Sequence, residues 1–129
     1  MSDPAPVSDR FLPGRHAITG YGKGGFGFAG MTHRGSLLAI PSGMRAWDVV
    51  HWGQLSDTSF ADIVVEADAI DFLVIGCGQT PAALPAHLAA FLRSHAIRCD
   101  IMPTAAAART YNVLLAEDRR VAAALIAVE

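Results

Sequence analysis

Residues 71 to 103, "DFLVIGCGQTPAALPAHLAAFLRSHAIRCDIMP", carry the pattern that decides the fold. "DFLVIG" is a continuous apolar run, as expected of a parallel strand buried on both faces. A regular helix should start near Pro85, because proline is tolerated in the first turn of a helix but clashes in its interior. "IRCDIMP" then reads as a second strand ended by proline. Residues 71 to 102 therefore predict one right-handed parallel βαβ unit.

The segments that precede this unit change from a strand pattern to a helix pattern. Between residues 18 and 47, short apolar pieces are interrupted by glycine, which predicts an antiparallel meander with "SLLAIP" as its clearest strand. In "SDTSFADIVVEADAI", apolar residues recur at helical spacing and predict a short amphipathic helix with Ser59 as its N-cap.

The segments that follow the unit predict one more helix and one more strand. Thr104 can cap the helix "AAAARTYNVLLAED", whose apolar residues share one face. The tail "RVAAALIAVE" has the length of a last strand. Residues 1 to 15 carry three of the seven prolines and no apolar period, so we expect a flexible lead-in ahead of a single domain over residues 16 to 129.

Composition restricts the classes of protein that need to be considered. The chain is 52% hydrophobic and 17% charged, which excludes an intrinsically disordered protein. A net charge of -2 without runs of like charge argues against a nucleic-acid partner. No apolar run is long enough to span a membrane, and the start "MSDPAPVSDRFLPG" has no signal core, so we expect a cytoplasmic location. Two cysteines without metal-ligand spacing predict reduced thiols and no bound metal.

The loop after "DFLVIG" allows three interpretations: a phosphate cradle, a nucleophilic cysteine, or a tight crossover turn. The dinucleotide fingerprint is incomplete, because Pro81 replaces its third glycine and removes a backbone N–H. No nicotinamide, flavin or other cofactor is therefore expected. Cys77 lies where a nucleophile could lie, before a helix N-terminus, but it needs a base. The candidate bases are the five histidines, and a buried cysteine that only fills space is the other interpretation.

The segment "TAAAARTYNVLLAEDRRVAAALI", residues 104 to 126, concentrates the polar side chains of the second half of the chain. These side chains could form the solvated face of a helix. Alternatively, Arg109 and Arg119 could pair with Glu117 while Asn112 binds loop backbone, which would form a buried network near the glycine loop. On the second interpretation the candidate binding residues are Gly76, Cys77, Gly78, Thr104, Arg109, Tyr111, Asn112 and Glu117; no catalytic residue is assigned.

The run Arg-Thr-Tyr-Asn with Glu-x-Arg a few residues later, together with "DFLVIGCG" and "GSLLAIP", resembles a widespread domain-of-unknown-function family. That family occurs in bacteria, archaea and mitochondria, and its mitochondrial members include an assembly factor of respiratory complex I. The resemblance covers residues 16 to 128. It implies a three-layer α/β fold with a small mixed central sheet, a β layer in front and an antiparallel last strand.

For function, the resemblance favours a non-enzymatic accessory protein that binds another protein, in the assembly of a membrane-bound respiratory complex. The alternative is a small-molecule-binding protein or enzyme that uses a pocket at the carboxyl ends of the parallel strands. Such a pocket would lie between the loop from Gly76 to Gly78 and the start of the following helix.

Overall fold

The computed structural model describes residues 11–129, which form nine strands and three α-helices joined by turns and short 3₁₀ segments. In chain order, these elements are β1 (Phe11–Pro13), β2 (Ile18–Gly22), β3 (Gly25–Phe28), β4 (Met31–Arg34), β5 (Ser36–Ile40), β6 (Gly43–Trp47), α1 (Ala61–Val65), β7 (Phe72–Gly76), α2 (Ala86–Ser94), β8 (Cys99–Met102), α3 (Thr104–Ala116) and β9 (Val121–Leu125).

The strands form two sheets. A six-stranded sheet has the order β1-β6-β5-β9-β7-β8, and a three-stranded antiparallel sheet has the order β2-β3-β4. The mixed central sheet, the antiparallel meander and the crossover β7-α2-β8 are as predicted. The prediction for the last strand is only half right, since β9 is antiparallel to β5 but parallel to β7.

The parallel pairing of β9 creates a second crossover, β8-α3-β9, where the sequence indicated only one βαβ unit. The first crossover runs from β7 to its neighbour β8 at the edge of the sheet. The second runs in the opposite direction, from β8 across β7 to β9. Because crossovers of this kind are right-handed, opposite directions of travel place α2 and α3 on opposite faces of the sheet. The distribution of buried residues agrees with this, since α2 and α3 contribute to two separate apolar clusters.

The cluster on the α2 face includes both buried leucines of α2 and the aromatic pair Trp47 and Phe60. The cluster on the α3 face joins Tyr111 to Phe26 and Phe28 of the small sheet. Strand β9 separates the two clusters, and its five residues are all buried. It supplies small alanines to both faces, which lets the two layers approach the sheet closely.

Two predicted boundaries are wrong. Residues 11 to 15 are not part of a lead-in, because Phe11–Pro13 pairs with β6 and extends the sheet; residues 1 to 10 of that prediction lie outside the described part of the chain. Ser59 is not the N-cap of the amphipathic helix, because α1 begins at Ala61 with Phe60 at its N-cap; Ser59 lies inside the preceding 3₁₀ turn over Asp57–Phe60, whose N-cap is Ser56. Among residues 11 to 129, no helix has the length and apolar character that a membrane span requires.

Candidate functional site

The carboxyl ends of β7 and β8 bring the glycine loop and the start of α3 into direct contact. The Gly78 N–H donates to Thr104 Oγ1 at 3.0 Å, and the Thr104 N–H donates back to the Gly78 carbonyl at 2.9 Å. The Thr104 hydroxyl itself donates to the Ile126 carbonyl at 2.7 Å. Thr104 therefore does not cap α3, whose N-cap position is Pro103. Its fully buried hydroxyl instead ties the loop to the residue that follows β9.

Gly76 allows this close approach. A Cβ added at Gly76 would lie 3.0 Å from the Thr104 Cα and 3.0 Å from the Leu125 Cδ2, which is tighter than most Cβ contacts and would force these neighbours to shift. The Gly76 carbonyl accepts from the Ile126 N–H, and the Cys77 N–H donates to the Met102 carbonyl. The N–H groups of Cys77 and Gly78 are thus engaged within the protein and do not face a phosphate group. Of the three interpretations of this loop, the crossover turn fits the geometry best.

Cys77 is buried beside this turn with 6% of its surface exposed. Its thiol donates to the Thr80 carbonyl at 3.3 Å, which closes the loop locally. Within residues 11 to 129, no histidine ring is hydrogen-bonded to this thiol; the rings of His16 and His33 face backbone carbonyls of other segments. These contacts favour the space-filling interpretation of Cys77.

Tyr111 and Asn112 connect α3 to the small sheet and not to the glycine loop. The Tyr111 hydroxyl donates to the His16 carbonyl at 2.9 Å, and burial raises the pKa of this phenol well above its usual value. Asn112 binds both backbone groups of one residue in β2, because its Oδ1 accepts from the Ile18 N–H and its Nδ2 donates to the Ile18 carbonyl, each at 2.8 Å. The amide thus imitates a neighbouring strand and fixes β2 against the helix.

The expected buried network of Arg109, Asn112 and Glu117 is wrong. Arg109 is exposed and has no hydrogen-bond or ion-pair partner within residues 11 to 129. Glu117 lies 3.9 Å from Arg119, and these two side chains are 57% and 61% exposed. Arg109 and Glu117 are eight residues apart, which is about 12 Å along a helix. The buried face of α3 runs through Thr104, Ala107, Ala108 and Tyr111, so Arg109 faces outward.

A groove at the opposite edge of the sheet was not anticipated from the sequence. It has a volume of about 560 Å³ and lies at the amino ends of β7 and β9. Its apolar lining comes from Ile70, Phe72, Leu114 and Val121, and its charged lining from Asp71, Arg98, Arg119 and Arg120. We call this feature the basic groove, because three arginines face one carboxylate.

Asp71 and Arg120 form a two-pronged ion pair at the rim of the basic groove. The guanidinium donates to the two carboxylate oxygens at 2.8 and 3.3 Å, and this contact holds the pKa of Asp71 below its usual value. Arg15 stabilises the backbone at the same rim, because its Nη1 donates to the carbonyls of Arg119 and Val121. Arg98 forms no salt bridge within residues 11 to 129. The groove therefore presents positive charge that internal pairing does not neutralise.

The positions of these charged residues in the sequence indicate the basic groove in part. Asp71 and Arg98 stand just before β7 and β8, and Arg119 and Arg120 stand just before β9. Parallel strands begin at the same edge of a sheet, so charges at their starts converge. The convergence of these charges could not be predicted, because it also requires the parallel pairing of β9 with β7, which was not expected.

Residues 18–126 match the family described as "Protein of unknown function (DUF498/DUF598)". The chain belongs to this family. The resemblance drawn from the Arg-Thr-Tyr-Asn run and its neighbours is thereby confirmed.

Relatives within the DUF498/DUF598 family include bacterial and eukaryotic proteins. An uncharacterized protein of Rhodobacter capsulatus is 40% identical over 112 residues, which cover 84% of this chain and 82% of that protein. The NADH dehydrogenase [ubiquinone] 1 alpha subcomplex assembly factor 3 of Drosophila melanogaster is 32% identical and matches 84% of this chain. The match spans 57% of the length of the Drosophila protein.

A solved structure shares the fold closely. The crystal structure of an outer membrane protein from Bartonella henselae superposes with a TM-score of 0.88 at 47% identity, covering 93% of this chain and all of that one. The three-layer α/β arrangement with a mixed central sheet is thus shared with an experimentally determined structure.

Proposed function

We propose that this member of the DUF498/DUF598 family is a non-enzymatic accessory protein that binds another protein during assembly of a membrane-bound respiratory complex. The observation that carries the proposal is its 32% identity, over 84% of the chain, to a Drosophila protein named as an assembly factor of NADH dehydrogenase. The matched part makes up most of the chain that forms the α/β fold described above. A cytoplasmic location is part of the same proposal.

The geometry of the carboxyl edge supports a binding role over a catalytic one. The polar groups of Gly76, Gly78 and Thr104 bond to one another or to neighbouring strands. Asn112 and Tyr111 use their side chains to hold β2 and the segment before it. We infer that these residues form a rigid frame for α3, since a reacting group must keep donors or acceptors free for its substrate.

The basic groove offers the surface that the proposed partner would contact. Its apolar floor, formed in part by Phe72 and Leu114, suits apolar side chains of a peptide segment. Arg98 and Arg119 at its rim suit the acidic side chains of the same segment, because a guanidinium binds carboxylates with paired N–H donors. We therefore propose a partner segment that combines apolar and acidic residues.

The test compares two exposed arginines, one inside the basic groove and one outside it. Arg119 lines the groove, and Arg109 lies near the middle of α3 and does not line the groove. Tagged wild-type protein, Arg119→Glu and Arg109→Glu are expressed in the native cell, and subunits of the respiratory NADH dehydrogenase are quantified after purification. We expect the wild type and Arg109→Glu to retain these subunits, whereas Arg119→Glu loses most of them.

Two results would count against the proposal. If the wild type recovers none of these subunits above an untagged control, the assembly role fails. If Arg109→Glu loses the partner and Arg119→Glu keeps it, the binding surface lies on the exposed side of α3 and not in the basic groove. A small metabolite that stays bound to the purified protein, detected by mass spectrometry, would instead support the small-molecule alternative.

A further inference from the structure

Strand β8 is an edge strand with one open side. It pairs with β7, and no other strand within residues 11 to 129 lies on its far side. Cys99, Ile101 and Met102 are only partly buried. A shallow groove of about 460 Å³ runs along the α2 face of this edge, between Leu84 and Ile101. An open edge with apolar side chains is a template for pairing with another strand.

The hydrogen-bond pattern of β8 defines which backbone groups are free. The carbonyls of Arg98 and Met102 accept from β7, because Leu73 N–H donates to the first and Cys77 N–H to the second. Backbone groups of successive strand residues point to alternate sides. The N–H and C=O groups of Cys99 and Ile101 therefore point away from β7, toward the open side.

The side chains of β8 divide between the two faces in the same alternation. Ile97, Cys99 and Ile101 belong to the apolar cluster on the α2 face. Arg98 and Asp100 are exposed and lie on the α3 side, where Met102 packs. Neither Arg98 nor Asp100 forms a salt bridge within residues 11 to 129. The strand thus carries one unpaired charge of each sign, two positions apart.

This spacing makes the edge complementary to itself. In an antiparallel pair related by a twofold axis at Cys99, each Cys99 lies opposite the other Cys99. Each Arg98 then lies opposite the Asp100 of the second copy, which occurs twice by symmetry. Opposite charges at directly paired positions stabilise antiparallel strands. In the same arrangement Ile97 lies opposite Ile101, so the apolar face is matched as well.

The neighbouring registers lack this match. A twofold axis at Asp100 places the two Asp100 carboxylates opposite each other, and an axis at Arg98 does the same for the two guanidinium groups. Like charges directly opposite are destabilising. An axis at Ile101 leaves both charges without an opposite partner and brings Cys99 opposite Pro103, which has no N–H to donate.

We propose that two copies of this chain associate through antiparallel pairing of their β8 strands about a twofold axis at Cys99, which joins the two six-stranded sheets into one. The occupant of the open edge is therefore a second copy of the chain. This inference does not rest on the proposed assembly role, but it shares Arg98 with the basic groove; Asp100→Arg, at a residue that does not line the groove, separates the two.

The first test is charge reversal. The self-association of the full chain is measured by sedimentation equilibrium for the wild type, Arg98→Asp, Asp100→Arg and the double variant. Both side chains are exposed, so the fold should persist, and circular dichroism checks this. We expect each single reversal to raise the dimer dissociation constant about tenfold or more, since two attractive pairs become repulsive. The double variant should return to near the wild-type value, because the pairs are restored with their signs exchanged.

The second test uses Cys99 as a natural reporter. Residues in a hydrogen-bonded antiparallel pair have Cα atoms about 5.5 Å apart, which lies within the range that a disulfide spans. Burial raises the pKa of the Cys99 thiol, so mild oxidation is carried out at alkaline pH. We expect a covalent dimer from the wild type and from Cys77→Ser, but not from Cys99→Ser.

The proposal is overturned if the wild type stays monomeric up to the highest soluble concentration, which would leave the edge to another partner or to solvent. It is also overturned if a dimer forms but both single reversals leave its dissociation constant unchanged, or if the double variant is weaker than either single one. A wild-type dimer that yields no Cys99-dependent cross-link would exclude this register.

Discussion

Replacement of Thr104 by valine should destabilise the fold strongly, although the two side chains have nearly the same shape. The hydroxyl of this fully buried residue accepts from the Gly78 N–H and donates to the Ile126 carbonyl. Valine fills the space but leaves both backbone groups without this partner. An unsatisfied buried group costs about 1–3 kcal/mol, so the two groups together should cost about 2–6 kcal/mol. For a domain of this size, the melting temperature should fall by roughly 6–25 °C.

The assay is thermal and urea unfolding of matched variants. Thr104→Ser keeps the hydroxyl and loses one methyl group, which should cost only about 1 kcal/mol. Thr110→Val is the control on the same helix, because the Thr110 hydroxyl contacts only the Met102 sulfur at 3.4 Å; its effect should stay below about 1 kcal/mol. If Thr104→Val melts like the wild type, or if Thr104→Ser is equally damaging, the hydroxyl does not join the loop to β9 as argued.

Four further substitutions probe α3, its contacts with β2, and the glycine loop. Asn112→Ala should cost about 1–3 kcal/mol in urea unfolding, because both backbone groups of Ile18 lose their partner. Arg109→Ala should stay within about 0.5 kcal/mol of the wild type in the same assay, and a larger loss would restore the buried network. Because burial raises the pKa of Tyr111, the unfolded chain loses this proton near about pH 10 while the folded chain keeps it. Stability should therefore decline as pH rises above about 10, and Tyr111→Phe should decline less steeply when unfolding is followed across that range. Cys77→Ser should lose no more than about 2 kcal/mol and keep its cellular function, since serine can still donate to the loop; a folded but inactive variant would revive the nucleophile.

The local elements of this fold were readable from the sequence because their signals are local. Pro85 marked the start of α2, which begins at Ala86, and the apolar run before Gly76 marked β7. The parallel pairing of β9 with β7 could not be predicted from the sequence. The apolar pattern of the tail is the same whether the strand pairs with β5 alone or lies between β5 and β7. Strand order depends on contacts between distant segments, and periodicity does not encode them.

The contacts around the candidate site were foreseen only in part, and the binding role of its residues stays a prediction. Thr104 does meet the glycine loop, as parallel strands require. Asn112 does bind backbone, but its partner is Ile18, 94 residues away, which no spacing in the sequence could indicate. Arg109 was misassigned because composition gives the residue types on a helix, while exposure depends on the orientation of that helix against the sheet. The buried face of α3 is set by Ala107 and Tyr111, and Arg109 lies outside it.

The basic groove illustrates the same limit at the level of function. Its charged residues come from the starts of three strands, and each one alone reads as an ordinary surface residue. Only the order β9-β7-β8 brings Arg119 and Arg98 to one edge around Asp71. The surface proposed for partner binding therefore depends on topology more than on any motif.

The assembly role is tested most directly by deleting the gene for this chain in its native cell and quantifying assembled respiratory NADH dehydrogenase on native gels. We predict that the deletion lowers the amount of the assembled complex. The wild type and Arg109→Glu should restore it, whereas Arg119→Glu at equal abundance should not. Normal levels of the assembled complex in the deletion strain would contradict the account.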